Sequence, residues 1–221
     1  MTEALLPERF LFRFSVPCHY RKPLWTASGA RLDDRYALVG LAALEQRPQL
    51  AEVKAAWSEE GLVVVVRVAG KKQPPWCRSS RPEDSDCLQI WIDTRDVHNV
   101  HRASRFCQRL IFLPTGGGRK SDEPFGQTLP IHRTREPARP VADGMLKARS
   151  EVSTTGYMLE AFIPAEALIG FDPVEHPRLG FTYAVIDREL GEQTLGVGSP
   201  LPYQEDPSLW PTLELVRPNE A

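Results

Sequence analysis

Residues 52–68 read Glu-Val-Lys-Ala-Ala-Trp-Ser-Glu-Glu-Gly-Leu-Val-Val-Val-Val-Arg-Val. The run 62–68 is almost entirely β-branched, which restricts χ1 and suits a pleated strand. Residues 52–57 form a shorter strand candidate. Between them Ser58-Glu59-Glu60-Gly61 reads as a turn, with Gly61 free to take positive φ. Two such runs around a Gly-containing turn predict a β-hairpin.

The same pattern repeats outward along the chain. Cys87-Leu88-Gln89-Ile90-Trp91-Ile92-Asp93 alternates, so Leu88, Ile90 and Ile92 face one way and Gln89, Trp91 and Asp93 the other. Residues 106–113 read as a strand ended by Pro114-Thr115-Gly116-Gly117-Gly118. Residues 145–152 and 157–163 predict a second hairpin, 179–187 and 213–216 the last strands, and 10–16 the first, closed by Pro17. Residues 164–168 permit one helical turn. Short strands, many turns and little helical periodicity predict an all-β fold: an antiparallel β-sandwich of immunoglobulin or jelly-roll type with long Pro-rich loops. One domain over 1–221 is expected, with 119–143 a long loop or excursion.

The chain has 221 residues, with 27 Lys+Arg against 29 Asp+Glu and a net charge of -2. This balance removes the whole-chain electrostatic case for nucleic-acid binding. No segment approaches the ~20 apolar residues of a spanning helix, so no membrane partner is expected. Glu3 and the lack of an early apolar run argue against a secretory leader and for a cytoplasmic protein. Cys18, Cys77, Cys87 and Cys107 contain no C-x-x-C and read as reduced thiols, although three pairings are open.

Five segments in order resemble carbohydrate-binding modules of family 9, related to the wider DOMON-like sandwiches. They are Trp57-Ser58-Glu59-Glu60-Gly61-Leu62; Trp76 followed by residues 84–93; Gly156-Tyr157-Met158-Leu159-Glu160-Ala161-Phe162-Ile163-Pro164; Leu179-Gly180-Phe181 running to Asp187; and Asp206-Pro207-Ser208-Leu209-Trp210-Pro211-Thr212-Leu213-Glu214-Leu215. The resemblance implies a non-catalytic sandwich that holds a saccharide between two aromatic rings, whose faces suit the C–H face of a pyranose. The first ring corresponds to Trp76 and the second to Tyr203. Gln89 stands where the family has an acid, and the family's Arg corresponds to Arg105 or Arg109. The resemblance also implies structural calcium, whose ligands the sequence does not place. Two alternatives remain. One is a structural or protein-interaction domain that has lost the sugar site. The other is a DOMON-like haem or metal binder, for which Met145 and Met158 are the available methionine ligands.

Outside the resemblance, residues 93–102 (Asp-Thr-Arg-Asp-Val-His-Asn-Val-His-Arg) put Asp93, Asp96, His98 and His101 just past a strand end, a candidate ligand or metal site. Trp91 either covers its sheet or lines a binding face. Trp57 and Trp210 read as core, and Trp25 has no assignment. Residues 115–121 lack the phosphate-loop spacing. There is no G-x-S-x-G and no recognisable carboxylate pair, so the chain is not read as an enzyme.

Overall fold

A computed structural model describes residues 10, 13–41, 48–199 and 201–218 of the chain. The strands are β1 Ser15–Tyr20, β2 Ala51–Ser58, β3 Gly61–Ala69, β4 Cys87–Asp93, β5 Cys107–Gly117, β6 Glu123–Leu129, β7 Lys147–Ser153, β8 Gly156–Pro164, β9 Arg178–Asp187, β10 Gly191–Thr194 and β11 Thr212–Val216. They form one hydrogen-bonded path, β6-β5-β4-β9-β11-β1-β2-β3-β8-β7, with β10 added to β9. Its two ends, β6 and β7, approach within 8 Å between Cα atoms, so the sheet nearly closes on itself. The fold is all-β and consistent with a β-sandwich. Helix among the described residues is limited to short 3-10 turns.

The hairpin at 52–68 forms as β2 and β3, with Ser58 opposite Gly61. Gly61 sits at φ +132, and a Cβ there would lie 2.1 Å from the Ile163 carbonyl oxygen. Only glycine gives this turn both its backbone angle and its clearance from β8. Leu88, Ile90 and Ile92 of β4 enter the central core with Val64, Val66, Leu159, Phe181 and Leu213. Trp57 and Trp210 are both buried, as expected. Trp25 stacks on Phe162 with centroids 5.7 Å apart, over the outer side of β3 and β8.

Three expectations are corrected. The sheet is mixed rather than antiparallel, because β1 runs parallel to both β11 and β2. The first strand begins at Ser15 and continues through Pro17 to Tyr20; Leu11 and Phe12, part of the expected strand, lie outside the described residues. Pro17 is tolerated because β1 pairs with β2 only at His19 and Tyr20, leaving one edge at Pro17 without a ladder to break. Finally, the segment expected to be a loop at 119–143 contains β6, an edge strand paired with β5 that carries Pro124 and Gly126. Edge position is where a sheet accepts proline, and this is what hid the strand from the residue pattern.

Candidate functional site

Directly opposed residues in antiparallel strands share a face. The outer face of β4, β5 and β9 therefore carries Gln89 and Trp91 together with Ile111 and Arg109 of β5 and Ala184 and Thr182 of β9. On this face Arg109, 3% exposed, donates from Nε and Nη2 to Gln89 Oε1 at 3.2 and 2.6 Å. Its Nη2 also donates to Glu83 Oε1 at 2.7 Å, and the guanidinium lies 5.2 Å from the Trp91 ring centroid. Tyr203, 2% exposed, packs edge-on against Trp91 at 5.3 Å and donates its hydroxyl to Glu192 Oε1 at 2.5 Å. Burial and that bond push its phenol above the ordinary value. Gln89, Arg109 and Tyr203 thus meet over one buried patch around Trp91, and Tyr203 presents no open ring face. Arg105 does not join them. It precedes β5, is exposed, lies over Phe106 and pairs with Glu136 at 3.6 Å, so of the two arginines only Arg109 lies beside Gln89.

Trp76 lies beside this patch on the wall of a cavity of about 340 Å³, which is also lined by Lys71, Gln73, Pro74, Asp86, Arg188 and Glu189. One carboxylate builds much of that wall. Asp86 Oδ2 accepts the Trp76 backbone N–H at 3.0 Å and the Lys71 ammonium at 3.1 Å. Its Oδ1 accepts the Arg188 N–H at 2.8 Å. Lys71 Nζ also reaches Asp187 Oδ2 at 2.5 Å, and all three side chains are at most 2% exposed. Burial pushes the Lys71 ammonium down, but the hydrogen bonds it donates to Asp187 and Asp86 outweigh that and hold its pKa above the ordinary value. Ser85 Oγ accepts the Arg78 N–H at 2.9 Å and Arg109 holds Glu83, so the turn after Trp76 is tied to the sheet at several points. Lys71, Asp86, Asp187 and Arg188 were not among the residues singled out by sequence. Asp86 and Asp187 each lay inside a quoted motif, but Lys71, which joins them, lay in neither.

At the opposite end of β4, the loop 93–102 divides its four expected ligands. Asp93 is buried and accepts the backbone N–H of Arg95 and Val97 at 3.0 and 2.9 Å; burial raises its pKa. Asp96, at φ +50, takes the His98 Nε2 at 2.9 Å, the Arg178 Nε at 3.3 Å and the Thr212 hydroxyl at 2.9 Å. His101 instead pairs with Asp206 and Ser208, each 3.0 Å from the same ring nitrogen, Nδ1. A nucleophilic relay needs acid and hydroxyl on opposite ring nitrogens, so this Asp-His-Ser cluster is a loop tie. His98 and His101 line a second cavity of about 700 Å³ with Phe10, Phe14, Leu201 and Leu209 among its walls.

Among the described residues, no three or more His, Cys, Asp or Glu are arranged to hold a metal ion. Asp86 and Asp187 enclose the Lys71 ammonium, so these two carboxylates are already engaged by a cation of the protein itself. Met145 packs on the central core and Met158 on the outer side of β3 and β8, so the two do not share a face. All four cysteines are free; burial pushes Cys87 and Cys107 up to about 12, which leaves them poor nucleophiles.

The fold is that of the family 9 carbohydrate-binding modules. A module of that family from Caldicellulosiruptor kristjanssonii in complex with glucose superposes with a TM-score of 0.65 at 14% identity, covering 94% of this chain and 98% of the module. The structure of a family 9 module from the same organism with cellotriose gives 0.63 at 14% identity, over 93% and 95%. A candidate carbohydrate-binding protein from Bacteroides uniformis gives 0.58 at 13% identity, over 93% of this chain and all of that one (100%). No family model and no curated protein matches the sequence.

Proposed function

We propose that the chain is a non-catalytic saccharide-binding domain, built as a two-layered sandwich, whose sugar packs against Trp76. The observation that carries this is the position of Trp76: the ring expected from sequence stands on the wall of a 340 Å³ cavity among ammonium, guanidinium, carboxylate and amide groups. That combination of one aromatic face and a few placed polar groups suits a pyranose. The shared fold with modules solved with glucose and cellotriose supports it. Gln89, Arg109 and Tyr203 then serve as positioning residues. Arg109 holds Glu83 in the turn after Trp76, Gln89 accepts from Arg109, and Tyr203 packs on Trp91 beneath the same guanidinium.

The test is a tryptophan-fluorescence titration with mono- and oligosaccharides, with and without calcium. A saturable, sugar-specific change that is lost in Trp76→Ala, with the circular dichroism spectrum retained, is expected. One observation favours a second reading: Tyr203, Gln89 and Arg109 are closed onto one another, as in an interaction domain that has lost its sugar site. No sugar response from intact protein would move the assignment there.

A further inference from the structure

Two guanidinium groups lie against Trp76. Arg188 Cζ is 4.3 Å and Arg78 Cζ 4.8 Å from the ring centroid. Both side chains are exposed, and among the described residues neither guanidinium makes an ion pair or a hydrogen bond. The carboxylates around them are differently placed. Asp86 spends its oxygens on Lys71 and on the N–H groups of Trp76 and Arg188. Asp187 spends its oxygens on Lys71, Glu189 N–H and Leu190 N–H. Glu189 accepts the N–H groups of Lys72 and Gln73 at 2.8 and 3.2 Å. These three acids therefore already hold protein donors, Asp86 and Asp187 in the interior and Glu189 on the cavity wall, while ten guanidinium N–H donors remain open around one aromatic ring.

Resting on the saccharide reading above, we infer that the Trp76 site takes an acidic sugar, a pyranose carrying a carboxylate such as a uronic-acid unit. Guanidinium matches a carboxylate with two parallel hydrogen bonds, and the pairing is stronger than one to a neutral hydroxyl. A neutral sugar stacking on Trp76 must displace cations that already interact with the ring. An acidic sugar gives the displaced guanidinium groups a new partner in the same place. The cavity's net charge does not decide the preference; the open donors do.

The decisive comparison uses one backbone with and without charge: the galacturonate trimer and its fully methyl-esterified form, each titrated by calorimetry, with cellotriose as a third ligand. The acid form is expected to bind about tenfold or more tightly than the ester, the order of one charge-assisted pair. The margin should shrink on going from 50 to 300 mM salt, as expected for solvent-exposed charges. In the double variant Arg78→Gln/Arg188→Gln the acid-to-ester ratio should fall to within about twofold, the spread of measurements on exposed groups. Both positions are exposed, and thermal melting checks that the variant folds. Equal binding of acid and ester, or binding of cellotriose alone, overturns the acidic-sugar inference and leaves the saccharide function standing. Binding of none of the three by folded protein overturns both.

Discussion

Lys71 and Asp86 form an ion pair with 2% and 1% of their side chains exposed, and Asp187 closes the group on the other side of the ammonium. Two buried carboxylates sharing one cation are tolerable only while the cation is present. Lys71→Met is expected to cost about 3–5 kcal/mol, because it leaves uncompensated buried charge. Urea denaturation monitored by circular dichroism measures it, and a loss under ~1 kcal/mol would show that the group is better solvated than its burial indicates.

The same ammonium sets a pH dependence. Its pKa in the folded protein lies above the ordinary 10.5, so its contribution is fully present below pH 10.5 and is lost as pH rises through the folded value. As pH rises above 10.5 the melting temperature of the parent protein should therefore fall more steeply than that of Lys71→Met. Parallel curves for the two proteins would refute the assignment.

Asp86 holds both walls of the Trp76 cavity, one oxygen to each side. Asp86→Ala should release the Trp76 loop and weaken saccharide binding at least as much as loss of the ring. Destabilisation of about 2–4 kcal/mol should accompany it, from orphaned N–H groups and from the loss of one of the two carboxylates on Lys71. Trp76 fluorescence should shift to the red. Unchanged emission together with unchanged binding would contradict this role.

Thr182, opposite Trp91 in the β4–β9 ladder, has a buried hydroxyl with no hydrogen-bond partner among the described residues. Replacing an unpaired buried hydroxyl by a methyl of similar shape removes a desolvation cost. Thr182→Val is thus expected to be neutral or stabilising by up to about 1 kcal/mol. A clear loss of stability in thermal melts would mean that a water or ligand satisfies that hydroxyl.

The strands that sequence anticipated are those with one face on the central core. In β4 the alternation of Leu88, Ile90 and Ile92 against Gln89, Trp91 and Asp93 survives because only the first set meets that core. In β6 and β10 no such contrast exists. Residues 123–129 are partly exposed throughout and include Pro124 and Gly126, and Gly191–Thr194 is short and polar. The candidate site divides in the same way. Trp76 was legible through its place ahead of a motif. Lys71 was not, because its partners Asp86 and Asp187 lie 15 and 116 residues away. Arg188 approaches Trp76 only once β4 and β9 have paired. The buried state of Tyr203 depends on Trp91 and Glu192 and is equally non-local.

The parallel pairing of β1 with β11 has a consequence for synthesis. Thr212 leaves the ribosome roughly 200 residues after its partner Ser15, a wait of about 10–40 s at ordinary elongation rates. Until then β1 has its place beside β2 but an open edge where β11 belongs, and β9 is open on the same side. A nascent chain stalled or truncated before Thr212 would carry two unpaired strand edges in the middle of its sheet, where other chains can add. β11 is thus the clasp between β1 and the half of the sheet that carries the Trp76 cavity.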